Sequence, residues 1–263
     1  MAVIGFIGTG SMGSALARAA ARGGQWDRIL LANRGAEKAR RLALELGAQA
    51  TDNLTAARES DYLMLGVEPA QLPALLDQLR PVLTGRAVPP VTVSMAAGVE
   101  LAAVADRLGG GVPVIRIMPN IPAAVGAGVI LFCAAGNVSA DQKALFLAGM
   151  REAGVFSELE EARMKAATGI TGCGPAYAAM FAEALADGGV ACGVPREKAR
   201  EYAALTMLGS AKMLLEGELL PETLKDLVCS PGGSTIQGVR ALEEGGMRAA
   251  VINGVIAAFE KKF

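Results

Sequence analysis

The opening run AVIGFIGTGSMGSALARAAARGG, residues 2–24, sets Gly8, Gly10 and Gly13 between an apolar stretch and an alanine-rich one. A chain with that spacing goes from strand through a tight turn into a helix. Gly8 permits the turn, Gly10 lets a pyrophosphate approach the backbone, and Gly13 lets helix and strand pack closely. The unpaired N–H groups at the helix start then stabilise negative charge. The first third of the chain is thereby committed to a βαβ unit of a dinucleotide-binding fold. Its second strand ends in LLANRG, and where an NAD site carries a carboxylate for the ribose 2′-hydroxyl, this chain has Asn33 and Arg34. Arg34 suits a 2′-phosphate and can stack on adenine, and Asn33 can donate a further hydrogen bond, so NADPH is favoured, with NADH as the second choice.

The alternation continues to about Leu159, through RILLAN, DYLMLGV, PVTVSMA, PVIRIMP, GVILFCA and GVFSEL. Several of these runs are too continuously apolar for half-exposed strands and fit a doubly wound, mostly parallel sheet covered on both faces. Ligands of such sheets bind beyond the carboxyl ends of the strands, which picks out GVEPAQ, SMAAGV and IMPNIP. From about Glu160 the strand-like runs stop. Alanine-rich segments opened by Pro175 and Pro195 replace them and read as helices. The expected division is therefore residues 1–159, α/β, and 160–263, all helical. The stretch PAYAAMFAEALADGGVAC carries only Glu183 and Asp187 as charges, so it should be covered on several sides. A helical unit of that size can hardly cover it alone, which predicts an interlocked homodimer; the competing reading is a core helix shielded by the α/β half.

Charge excludes other classes. The 25 basic and 26 acidic residues give a formal net charge of -1, no electrostatic footprint for nucleic acid or an anionic membrane surface. The start of the chain has no basic leader, and the apolar stretch IPAAVGAGVILFCAAG is too short and too interrupted to span a bilayer. A cytoplasmic protein with a small-molecule ligand is expected. Cys133, Cys173, Cys192 and Cys229 have neither metal-site nor disulfide-framework spacing and read as free thiols, so no metal is expected.

The segment CSPGGSTIQGV, residues 229–239, puts glycines and hydroxyls directly before another helix. Gly232, Gly233 and Ser234 could offer N–H groups to a carboxylate, with the Thr235 hydroxyl beside them. Ser234 with Gln237 equally fits a capping box that needs no ligand, and the residues leave both readings open.

GFIGTGSMG, RIMPNIPAAVGAG, TGCGPAY and above all SPGGSTIQGVRALEEGG resemble the pyrroline-5-carboxylate reductases over essentially the full length. The resemblance implies NADPH-dependent reduction of a cyclic imine to L-proline, the last step of proline biosynthesis. It also implies a dinucleotide-binding domain followed by a helical domain that makes an intertwined dimer, in some members built into larger rings. By the same resemblance Gly8, Thr9, Gly10, Ser11, Met12, Gly13, Asn33, Arg34, Asn53, Val67, Glu68, Pro69, Ala97, Met118, Pro119 and Asn120 contact the cofactor. Glu161, Glu218, Ser230, Gly232, Gly233, Ser234 and Thr235 contact the substrate, with Thr235 the candidate catalytic residue.

Three positions depart from the family pattern. Glu68 stands where a lysine is usual, removing any attraction between that lysine and the cofactor. Cys173 replaces a serine, and Ser234 a frequent threonine or alanine. The chain has no histidine. A cyclic imine can arrive protonated and accept hydride as a cation, so positioning can replace the acid that a ketone reductase supplies. Two further readings remain: a hydroxyacid dehydrogenase of the 6-phosphogluconate type using Lys165, and a non-catalytic NADPH sensor.

Overall fold

The structure is a computed structural model that describes residues 2–217 and 219–261. It divides into two compact units, residues 2–172 and 173–261.

The first unit holds one sheet built from β1 (Val3–Ile7), β2 (Arg28–Ala32), β3 (Gln49–Thr51), β4 (Tyr62–Leu65), β5 (Val91–Ser94), β6 (Val114–Met118), β7 (Gly128–Ala134) and β8 (Gly154–Glu158). Their order across it is β3-β2-β1-β4-β5-β6-β7-β8, parallel throughout except where β7 runs against β6. The order reverses between β1 and β4, so a crevice opens at the carboxyl ends of those strands. Phe6 of β1 lies level with Leu31 of β2 and Met64 of β4.

Strand side chains alternate between two cores. Ile4, Phe6, Tyr62, Met64, Val91, Val93, Ile115 and Ile117 pack on one side, whereas Ile7, Leu63, Leu65 and Val114 pack on the other. The period of two and burial on both faces are what continuous apolar runs demand of a doubly wound sheet. Helices α1 (Ser11–Gly23), α2 (Ala36–Leu46), α3 (Asn53–Glu59), α4 (Leu72–Thr84), α5 (Leu101–Arg107), α6 (Ala140–Met150) and α7 (Glu161–Thr171) complete the unit. Helix α7 packs on β7, with Met164 buried and its sulfur 3.6 Å from Cys133 Sγ, and compactness groups it with the first unit.

The second unit contains α8 (Gly174–Ala191), α9 (Arg196–Glu216), α10 (Pro221–Val228), α11 (Ser234–Glu244) and α12 (Met247–Glu260). Pro175 sits in the first turn of α8, but Pro195 lies one place outside α9, as its N-cap. The buried cluster here is small: Ala186, Ala199 and Ala203, with Val190 and Val194 against them. Tyr177 Oη donates to Gly254 O at 3.0 Å and fastens α8 to α12. Helix α8 buries only Ala186 and leaves Met180, Phe181 and Leu185 exposed. No helix among the described residues is long and apolar enough to cross a membrane.

Candidate active site

Between β1 and α1 the glycine loop is held from three sides. Gly8 N–H donates to Ala32 O (2.8 Å), Thr9 N–H to Asn33 Oδ1 (3.1 Å), and Ser14 Oγ to Thr9 O (3.0 Å). Gly8 has φ +99°, a Cβ there would run into Gly66 O, and a Cβ on Gly13 would run into Gly8 O. Both glycines therefore serve the protein's own packing. Gly10 differs: its φ is -69° and nothing lies within 4 Å of where a Cβ would sit. Open space over a helix N-terminus, in a loop whose backbone is already fixed, fits a bound pyrophosphate. The residues present thus fit a dinucleotide.

Asn33 is already engaged. Its Oδ1 holds Thr9 N–H and its Nδ2 donates to Gly35 O at 3.2 Å, so it fastens the loop to the end of β2. Arg34 beside it is exposed. Asn53 opens α3, and its Nδ2 lies 3.4 Å from Gln78 Oε1. The α3 cap is Asp52, whose carboxylate accepts from the N–H groups of Leu54 and Thr55; the Thr55 hydroxyl foremost holds that carboxyl below its usual range. Val67, Glu68 and Pro69 follow β4, and Glu68 and Pro69 are exposed.

At the ends of β5 and β6, Ala97, Met118 and Glu161 line one cavity of about 460 Å³, together with Arg116, Lys165 and Thr168. Asn120 is buried and locks the Met-Pro-Asn turn: Nδ2 donates to Thr171 O and Oδ1 accepts from Val129 N–H, each at 2.9 Å. A buried amide satisfied in this way is part of the frame.

Glu161 also has structural duties. Its Oε1 accepts from Leu101 N–H at 2.6 Å and from Arg116 Nη1 at 2.7 Å, joining α5, β6 and α7 around the cavity. The Arg116 side chain is 9% exposed against 31% for Glu161, and Arg116 Nε is buried with no partner. Sequence reasoning missed Arg116, although a cation inside PVIRIMP breaks the apolar pattern and so requires a partner. Burial foremost, and Glu161 next, push the Cys133 thiol up to about 11, which leaves it protonated and inert near neutrality. Glu161→Ala is expected to strand a buried guanidinium and cost about 2 kcal/mol, read as a lower denaturation midpoint, with Glu161→Gln recovering part of it. An unchanged midpoint in the alanine variant would remove the pair from the frame.

In the second unit, Ser230, Pro231, Gly232 and Gly233 form a turn between α10 and α11. Gly232 has φ +70° and Gly233 N–H donates to Ser230 O at 3.0 Å, as a type II turn with proline second and glycine third requires. Two expectations change here. The N-cap of α11 is Gly233 and no side chain caps the helix, so Ser234 and Gln237 form no capping box; Ser234 already belongs to the first helical turn. The Gly233 N–H is taken by the turn. The donors left at this helix start are the N–H groups of Ser234, Thr235 and Ile236, with the exposed hydroxyls of Ser234 and Thr235. Glu218 lies outside the described residues.

The pyrroline-5-carboxylate reductase dimerisation family matches residues 161–262. A pyrroline-5-carboxylate reductase of Methanosarcina acetivorans is 40% identical over 98% of this chain and 96% of its own length. The chain belongs to the pyrroline-5-carboxylate reductase family. Among solved structures, a pyrroline-5-carboxylate reductase from Coxiella burnetii is 31% identical, with a TM-score of 0.90 over 98% of this chain and 96% of that one. The Plasmodium falciparum pyrroline carboxylate reductase, solved with NADP bound, is 29% identical with a TM-score of 0.87 over the same shares. Residues 3–98, from β1 to the loop after β5, match the family described as NADP oxidoreductase, coenzyme F420-dependent. The chain is an NAD(P)-dependent oxidoreductase of this reductase family. Its dimerisation region begins at Glu161, the first residue of α7. Membership also answers the hydroxyacid reading that turned on Lys165, which lines the same cavity as Glu161.

Proposed function

We propose that the chain reduces 1-pyrroline-5-carboxylate to L-proline with NADPH, working as a homodimer in the cytoplasm. Kinship along nearly the whole length of the Methanosarcina reductase carries this reading. The four free cysteines fit a reducing compartment. Bound NADPH supplies a hydride to the imine carbon of the protonated substrate, whose C=N bond becomes the secondary amine of proline.

The protein's own part is to bind and orient. The N–H groups of Ser234 and Thr235, at the positive end of the α11 dipole, suit the substrate carboxylate, and the Thr235 hydroxyl suits that carboxylate or the ring nitrogen. The frame around Glu161 and Arg116 ties the starts of α5 and α7 to β6 beside the cavity.

Purified protein should oxidise NADPH in the presence of DL-pyrroline-5-carboxylate and not with 3-hydroxyacids; hydroxyacid turnover without imine turnover would overturn the reading. With no histidine in the chain, the high-pH fall of kcat/KM should follow deprotonation of the imine itself. It should therefore move when the cyclic imine is exchanged for one of different basicity. Thr235→Val should lower kcat/KM about tenfold or more, the loss of one hydrogen bond to a charged group. A variant with full kcat/KM would take Thr235 out of the mechanism.

A further inference from the structure

A second cavity, of about 290 Å³, lies at the amino ends of β4 and β5, the opposite ends of these strands from the crevice that suits the cofactor. Its walls are apolar: Tyr62 at the start of β4, Pro89 and Pro90 just before β5, and Leu145 of α6. Two opposite charges share it, Asp61 and Arg86. Backbone carbonyls fix the guanidinium, since Nε donates to Val88 O at 3.1 Å and Nη1 to Ala57 O at 2.9 Å and Ser60 O at 2.6 Å. The Asp61 carboxylate is held in turn by Val3 N–H at 2.8 Å. Among the described residues Arg86 has no acidic partner, Asp61 has no basic one, and no ion pair joins the two. The Tyr62 hydroxyl is spent on Gln142 O at 2.8 Å; burial foremost, and Asp61 next, push it up to about 12, so the wall beside the charges stays neutral.

We infer that this cavity binds a free α-amino acid with an apolar side chain, its carboxylate on Arg86, its ammonium on Asp61 and its side chain against Pro89, Pro90 and Leu145. Both charges are anchored by backbone groups of their own, so they cannot close on each other without giving those bonds up. A ligand that carries both opposite charges on one small body answers the two at once, whereas a simple acid or amine leaves one charge unanswered. Convergent polar groups over an apolar wall are what small-molecule sites present. The site is separate from the one that carries the reduction, because its strand residues stand at the amino ends of β4 and β5 and the cofactor loops follow the carboxyl ends.

The test compares wild type, Asp61→Asn, Leu145→Glu and Thr235→Val as full-length proteins. Calorimetry measures binding of L-leucine, of 4-methylpentanoate, which lacks the ammonium, and of 3-methylbutylamine, which lacks the carboxylate. Wild type should bind L-leucine saturably and each analogue about tenfold or more weakly, the loss of one charge-assisted contact. Asp61→Asn keeps an oxygen for Val3 N–H, so its melting temperature should hold while L-leucine binds about tenfold or more weakly. Leu145→Glu, a change on an exposed side chain, should weaken L-leucine as well. No saturable binding to wild type at about 10 mM, equal affinity for L-leucine and its analogues, or affinity unchanged in both cavity variants overturns the inference. Loss of L-leucine in Thr235→Val alone would place the amino acid at the α11 turn and overturn it equally.

Discussion

Gly10→Ala should fold like the wild type and lose the cofactor. Nothing lies within 4 Å of the added methyl and φ is -69°, so the melting temperature should hold. The methyl would occupy the space through which a pyrophosphate reaches the N–H groups at the start of α1, and the dissociation constant for NADPH should rise at least about tenfold. Gly8→Ala is the contrasting variant. At φ +99°, and with Gly66 O in the path of the Cβ, it should lose about 2–3 kcal/mol or more of stability, and its binding defect would follow from damage to the fold. Thermal melting and a fluorescence titration with NADPH, run on both, separate the two glycines. Cofactor binding unimpaired in Gly10→Ala would show that the open space beside Gly10 is not the pyrophosphate site.

Much of this was legible because the signals were local and repeated. Apolar runs bounded by glycine and proline mark β1, β2 and β4 to β8, and their continuity foretells cover on both faces. Strand β3 escaped because three residues, Gln-Ala-Thr, hold no run to detect; its place is fixed by pairing with β2 at the sheet edge. The turn at Gly8 and the close packing at Gly13 could be read from the glycine loop, since strand, turn and helix constrain one another. Hydrogen-bond assignment could not. Asn33 and Asn120 look like ligand-binding amides, and only coordinates show them fastening the protein to itself. The same holds at SPGGST, where a carboxylate cradle and a capping box fit the sequence equally well and the position of the first helical residue removes the capping box. Arg116 became visible through a partner distant in sequence.

The second unit should melt with its partner. The first unit owns two cores built around the sheet, whereas the second buries three alanines and exposes Met180, Leu185, Leu208, Val251 and Ile252 on α8, α9 and α12. Apolar exposure on that scale marks an interface, and a second copy of the chain is the partner that the matched dimerisation family indicates. Wild type should therefore sediment at twice the 26.9 kDa chain mass. Leu208→Glu/Ile252→Glu sets two carboxylates where apolar cover is needed, at several kcal/mol when desolvated, so the dimer should dissociate at micromolar concentration. Calorimetry should then separate two transitions: one near that of the wild type from the sheet unit, and one at lower temperature from helices left without cover. A wild-type monomer would end the homodimer reading. A dimer indifferent both to this pair and to Met180→Glu/Leu185→Glu would put the interface on another surface, and the exposed faces of α8, α9 and α12 would then need a different partner.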